Sequence, residues 1–299
     1  IPVEVKVNID EGKRVRIGDI TVSGLIRTKE KVVRRELLFE QGDWYDPERL
    51  AATRSRLTQL GLFQSVQILP VYRNSITEQA EELDLVVEVR EASAGNVSFG
   101  PGWSSYSGFR YTAESGYANI GGEGRQITVR GGFSEEQQQA AIGPRTLVGR
   151  NLGVAYLEPY IFEWPVDGSI GVSNNARANE DFWELSYAGE VALIHKLRNF
   201  LVGSTISTFY GQKITREEGA PEKEDELISG NVRVGRVGLR YNIDRRDSLR
   251  FPTSGFTFDA ETAWARYWLG GDLRYFRWEF RNNYYFGLFQ DLVFAIGLE

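Results

Sequence analysis

Residues 228–264, ISGNVRVGRVGLRYNIDRRDSLRFPTSGFTFDAETAW, hold two alternating runs around one charged turn. In the first, Val237, Leu239, Tyr241 and Ile243 alternate with Gly238, Arg240, Asn242 and Asp244. In the second, Phe256, Phe258, Ala260, Thr262 and Trp264 alternate with Thr257, Asp259, Glu261 and Ala263. A strand turns successive side chains to opposite faces, so each run predicts a strand with one apolar and one polar face. In a soluble sandwich the polar face meets water, whereas in an outer-membrane barrel the apolar face meets lipid. The hairpin alone fits both, and the rest of the chain has to decide.

The 299 residues leave room for a large barrel or two domains. With 32 Gly, 13% aromatic and 41% hydrophobic residues, the composition suits many twisted strands and tight turns. No run approaches the ~18 apolar residues of a membrane helix, which excludes a helical membrane protein but not a barrel. Cysteine is absent, so disulfides and Cys-ligated metals are excluded. The net charge of −6 argues against a nucleic-acid partner. Methionine is absent even at position 1, so the chain is expected to begin inside a longer or processed product.

Taken in order, VEVKVN (3–8) reads as a strand ending a preceding domain. RIGDITVSGL (16–25) is a strand, and Thr28 is an expected N-cap for a helix carrying Val32, Val33, Leu37 and Leu38. Asp46-Pro47 opens a second helix, with Leu50, Leu57 and Leu60 on one side and Gly61 as its stop. Strands at about 65–72 and 83–90 complete a β-α-α-β-β unit around an acidic loop, 75–82. From Gly95 onward helical periodicity ends. The expected strands there are about 95–104, 109–119, 124–133, 151–162, 168–177, 184–195, 199–212, 228–243, 256–267, 273–286 and 291–299. Short connections at one end (Ile120–Glu123, Trp164–Asp167, Lys196–Arg198, Gly287–Gln290) contrast with long ones at the other, 134–150 and 213–227. That contrast is the periplasmic and external asymmetry of bacterial barrels. Trp103, Trp164, Trp183, Trp264 and Trp268 fall near strand ends, as an interfacial girdle would place them.

Gly24, Thr28, Gly42, Asp46, Leu50, Leu57 and the run Gly61-Leu62-Phe63 give the first unit its signature. It resembles a POTRA domain, the periplasmic module of outer-membrane assembly proteins. Followed by such strands, the chain resembles the BamA/TamA superfamily of outer-membrane protein insertases along nearly its whole length. The resemblance implies an α+β POTRA domain at 13–92, the end of a preceding POTRA at 1–12, and the N-terminal part of an antiparallel transmembrane β-barrel at 93–299. About eleven of an expected sixteen strands are present, and the remainder, with the family's Val/Ile-Arg-Gly-Phe loop motif, are expected beyond Glu299. Val129-Arg130-Gly131-Gly132-Phe133 is similar to that motif but carries an extra glycine and sits in the third expected strand, so it reads as ordinary strand sequence. RRDSLRFPTSGF resembles the family's periplasmic turn, with Asp244, Phe251, Pro252, Thr253 and Gly255 in its positions.

The candidate functional feature is an edge. Asn96, Val97, Ser98, Phe99, Gly100, Pro101 and Gly102 form the first barrel strand. Glycine weakens a strand and proline removes a ladder donor. The resemblance implies that this strand meets the last one at a lateral seam, where an incoming strand could add by β-augmentation. No catalytic residue, metal site or cofactor is expected: His195 is the only histidine, in the turn HKLRN, and the acidic run Glu217–Glu226 lacks calcium-loop spacing. Asp244 and Asp247 flank Arg245 and Arg246, which suggests ion pairing at the turn. The expected partners are unfolded outer-membrane protein clients, outer-membrane lipids, and accessory lipoproteins or another periplasmic partner bound through the POTRA. The expected location is the bacterial outer membrane with the POTRA in the periplasm. The alternatives are a two-partner secretion pore, a lipid-modifying barrel enzyme and a soluble carbohydrate-binding β-protein.

Overall fold

The structure, a computed structural model, describes residues 14–72, 82–104, 108–140, 143–178, 183–197, 205–218, 231–248, 251–289 and 292–298. The expected strand 3–8 and acidic loop 75–82 lie outside them, apart from Glu82. Two units meet at Ala92 and Ser93 in the chain.

The first unit runs β1 (Arg16–Ser23), α1 (Glu30–Arg34), α2 (Pro47–Gln59), β2 (Phe63–Tyr72), β3 (Glu82–Glu91). Its three-stranded sheet has the order β1-β3-β2, with β1 parallel and β2 antiparallel to the central β3. Leu83, Leu85, Val87 and Val89 alternate inward from β3 and are buried with Ile17, Val32, Val33, Phe39, Leu50 and Leu57. Asp46 caps α2 as expected, its carboxylate accepting from the Glu48 N–H at 2.9 Å with Pro47 at the first position. Gly61 stops the helix at φ +69°.

Thr28 does not cap α1. The N-cap is Lys29, and α1 ends at Arg34, leaving Leu37 and Leu38 outside it. A stronger acceptor takes the Thr28 amide: Glu91, whose side chain is only 3% exposed, accepts from the N–H groups of Ile26, Arg27 and Thr28 at 2.7–3.0 Å and pairs with the Arg27 guanidinium at 3.2 Å. Burial pushes the Glu91 carboxyl up, and its hydrogen bonds to Thr28, Ile26 and Arg27 outweigh that, lowering it to about 2.

The second unit is one antiparallel sheet of eleven strands in sequence order: β4 (Gly95–Ser104), β5 (Gly108–Ile120), β6 (Arg125–Ala140), β7 (Gly143–Glu158), β8 (Val166–Ala178), β9 (Trp183–Lys196), β10 (Thr205–Glu218), β11 (Asn231–Asp244), β12 (Gly255–Ala265), β13 (Tyr275–Phe289) and β14 (Leu292–Leu298). Register carries one face unbroken across the sheet. Phe99 pairs with Ala113, Tyr111 with Phe133, Val129 with Val154, Val154 with Val172, Ile170 with Val191, Val191 with Tyr210, and Tyr210 with Val237. Most of the large apolar side chains on this outer face are exposed, among them Val97, Phe99, Leu152, Val172, Trp264 and Phe276. The opposite, inner face carries Glu114, Arg130, Asn151, Ser173, Glu190, Arg240 and Glu261. An apolar face left bare beside a charged one is the reverse of a soluble sheet's preference, and it is the pattern of a lipid-facing wall. No helix of the described residues is long and apolar enough to cross a membrane.

The expected loop 134–150 is instead hairpin, because β6 and β7 stay paired out to Ala140 and Gly143. Ser134 to Gln139 lack apolar alternation, yet a hairpin that has left the apolar layer keeps its backbone ladder without needing an apolar face. Likewise β10 reaches Glu218, so residues 213–218 of the other expected loop are strand, and 219–227 lie outside the described residues. Both sheet ends mix short and long connections, such as 121–124 and 245–254 at one and 141–142 and 266–274 at the other. The predicted length contrast is therefore absent.

Candidate functional site

The structure places Asn96 to Gly102 on β4, an edge strand whose single neighbour among the described residues is β5. Asn96 faces Gly116, Ser98 faces Glu114, Gly100 faces Thr112 and Gly102 faces Arg110 on the inner side. Val97, Phe99 and Pro101 alternate to the outer side, opposite Ser115, Ala113 and Tyr111. Val97 is 82% exposed and Phe99 stacks on Tyr111 at 6.3 Å. Gly100 and Gly102 leave the inner side of β4 without side chains at two alternate positions. Thr112 Oγ1 uses that opening, donating to the Gly100 carbonyl at 3.2 Å, and a Cβ at Gly100 would sit 3.0 Å from it. With so few packed side chains, β4 is held mainly by its ladder to β5.

The turn 245–254 is organised by a residue assigned a different role from sequence. Asp247 was expected to share ion pairs with Arg245 and Arg246. Its carboxylate instead accepts from the Thr253 hydroxyl and from the N–H groups of Thr253 and Ser254 at 2.9 and 3.2 Å. These bonds, the Thr253 hydroxyl's first, lower the Asp247 carboxyl to about 2. Asp244 pairs with Arg246 at 2.6 Å. A side-chain link across the motif runs from Asp247 to Thr253, while Asp244 closes β11 opposite Thr257. Gly255 has φ +104°, and a Cβ there would lie 2.0 Å from the Arg245 carbonyl oxygen, which explains the glycine. Phe251 is 75% exposed beside Pro252.

A third feature was not legible in sequence. On the inner face, Arg240 of β11 bridges Glu190 of β9, at 2.5 and 2.7 Å, and Glu261 of β12, at 2.8 Å. Arg236 joins Glu261 at 3.0 Å. Beneath both guanidiniums lies Phe209, buried with Ala192 and Ala263. Gly238, directly across from Phe209, provides the space for it: a Cβ there would lie 2.8 Å from the ring and 1.9 Å from the Thr262 carbonyl. The signal available in sequence was the lone Phe209 out of step with the apolar face of its strand. Arg130 and Glu114 make a smaller inner-face pair at 2.7 Å.

His195 lies within β9, not in a turn, and is exposed between Val166 and Ile206. Neither serine nor carboxylate is its cross-strand partner.

Two family profiles match the chain. One, described as surface antigen variable number repeat (POTRA), covers residues 15–92, and the other, the Omp85 superfamily domain, covers 119–299. Curated relatives include outer membrane protein assembly factor BamA of Neorickettsia risticii (strain Illinois), 25% identical over 293 residues. That match covers 96% of this chain and 37% of the relative. BamA of Neisseria meningitidis serogroup B is 23% identical over 319 residues, covering 99% of this chain and 37% of that protein. The chain thus spans a little over a third of the length of these relatives. Among solved structures, BamA from Haemophilus ducreyi lacking POTRA domains 1–3 superposes with a TM-score of 0.63 at 17% identity, covering 94% of this chain and 54% of that one. CdiB from Acinetobacter baumannii gives 0.57 at 13% identity, over 94% and 51%. At these identities the structures share a fold.

Proposed function

The chain belongs to the Omp85 superfamily, and from that membership we propose that it assembles proteins into the bacterial outer membrane, with the edge of β4 as the template for an incoming strand. The observation carrying this reading is that β4, whose one neighbour among the described residues is β5, combines glycines at Gly100 and Gly102, a proline at Pro101 and an outer face of Val97 and Phe99. A client strand added there continues both faces of the sheet, apolar to lipid and polar inward. It exchanges one set of backbone hydrogen bonds for another, so the cost is small and no catalytic residue is needed. In lipid an unpaired backbone edge costs several kcal/mol per group, which drives a client strand to pair where the ladder is exposed. The curated relatives named above are themselves called outer membrane protein assembly factors. The POTRA unit, on this reading, lies in the periplasm and receives unfolded barrel clients before they reach the edge.

A second reading, a secretion pore that passes a chain through the lumen, is favoured by the charged inner face around Arg130, Glu190 and Arg240. Reconstitution separates the two. The full-length protein in vesicles, given an unfolded barrel client, should speed the appearance of folded client in the bilayer, seen by heat-modified migration on gels. Client recovered as a protease-protected soluble chain inside the vesicles would support the pore and overturn the template reading.

A further inference from the structure

The connection between β12 and β13 leaves the sheet and lies on its outer face. Leu269 places its carbonyl oxygen where a Cβ of Gly235 would stand, 1.9 Å away, and a Cβ at Gly271 would lie 2.5 Å from the Gly235 nitrogen. Only glycines at both points permit this seat. Four hydrogen bonds hold it: the Tyr210 hydroxyl to the Leu269 carbonyl at 3.0 Å, Gln212 Nε2 to the Gly270 carbonyl at 3.1 Å, the Asp272 N–H to the Arg233 carbonyl at 2.7 Å, and the Arg233 N–H to Asp272 Oδ2 at 2.8 Å. Tyr210 and Gln212 point to the outer side, so the tethered turn rides on the apolar face. Its tip presents Tyr267 and Trp268, 64% and 72% exposed.

The charges around the tip are unbalanced. The Arg266 guanidinium lies 5.0 Å from the ring of outer-face Trp264. Arg266 and exposed Arg274 stand at the positions just beyond the last β12–β13 pair, Ala265 with Tyr275, and neither has a carboxylate partner among the described residues, whereas Arg233 is paired with Asp272 at 3.6 Å. Tyr and Trp, each with an apolar body and a polar tip, settle at the boundary between acyl chains and headgroups. An arginine at that depth needs an anion, and its planar fork matches phosphate oxygens in pairs.

We propose that Arg266, Tyr267, Trp268 and Arg274 form a binding site for the phosphorylated headgroup of a membrane lipid. The lipid is preferred to soluble phosphate because the site's floor is the apolar face, which accommodates acyl chains. The inference rests on the reading that this face meets a bilayer.

The test reconstitutes the full-length protein in vesicles of digalactosyl diacylglycerol, a bilayer lipid without phosphate, containing a small fraction of lipid A, which bears two phosphates, or of dephosphorylated lipid A. Flotation with the vesicles reports membrane residence. After mild detergent extraction, native mass spectrometry counts retained lipid. The wild type should retain lipid A several-fold over its dephosphorylated form, and R266Q/R274Q should lose that preference while still floating. The lipid comparison needs no variant, so it decides the matter even if R266Q/R274Q fails to fold. Equal retention of both lipids by the wild type, or undiminished preference in a folded variant, overturns the site. Displacement of lipid A by millimolar inorganic phosphate overturns the lipid assignment. Failure to float would instead sink the membrane reading beneath it.

Discussion

The guanidinium of Arg240 lies 4.0 Å from the centroid of the Phe209 ring, between carboxylates contributed by two other strands. Side chains from β9, β10 and β12 thus converge on one cation of β11, cross-linking four strands through their inner face. The arrangement uses both properties of arginine, a flat face for the ring and a fork for the carboxylates.

R240M should therefore destabilise the sheet by leaving Glu190 only the longer contact to Arg236 at 3.8 Å, while Glu261 keeps Arg236 at 3.0 Å. Exposed pairs contribute roughly 0–1 kcal/mol, and breaking buried ones costs about 3–5. Side-chain exposures of 34%, 32% and 25% put this cluster between them, so a loss of roughly 1–3 kcal/mol is expected. Urea unfolding in micelles, followed by tryptophan fluorescence, measures it. E190Q/R240M should recover part of the loss, since Arg236 and Glu261 then remain paired with no carboxylate left over.

Asp247 makes the turn after β11 sensitive to acid. Its carboxyl falls from an ordinary 3.8 to about 2 in the folded turn. A depressed acid contributes stability that is full above the unfolded value and is lost as pH falls through the folded one. Protection of the Thr253 and Ser254 amides from hydrogen exchange, corrected for intrinsic rates, should hold from neutral pH to about 4 and decline toward 2. D247N should lack that protection at neutral pH.

The strand number and the amphipathic faces were legible because lipid and lumen impose period two on nearly every strand, as in Phe276, Trp278 and Phe280 against Arg277, Glu279 and Arg281. Asp46-Pro47 was legible because a cap acts locally. Three things were hidden for physical reasons. The hairpin of Glu135 to Gln139 has no apolar face to betray it. Asp247, one of two neighbouring aspartates, is distinguished only by a backbone path that brings Thr253 back to it. Phe209 is an aromatic on the polar face, and only the register that puts Gly238 opposite explains it. Gly100, Pro101 and Gly102 signalled a weak strand, while its pairing with β5 alone among the described residues required the sheet order.

Phe280 tests which face meets lipid. Its ring stacks on Trp278 at 5.3 Å on the outer face. F280R should cost about 2–4 kcal/mol near the bilayer midplane. T128R, on the inner face, should change stability by under about 1 kcal/mol. Unfolding titrations of both variants in bilayer vesicles give the comparison, and equal costs would argue for a soluble sheet.

The template claim is tested most directly at Ser98. The chain has no cysteine of its own, so S98C in the full-length protein can be scanned against single cysteines along the terminal strand of a client arrested during insertion. A client strand laddered onto β4 should form disulfides at alternate positions around one register, because only every second side chain shares the inner face with residue 98. Client cysteines that ignore S98C but react with S173C, deep on the inner face, would contradict the account and place the client in the lumen.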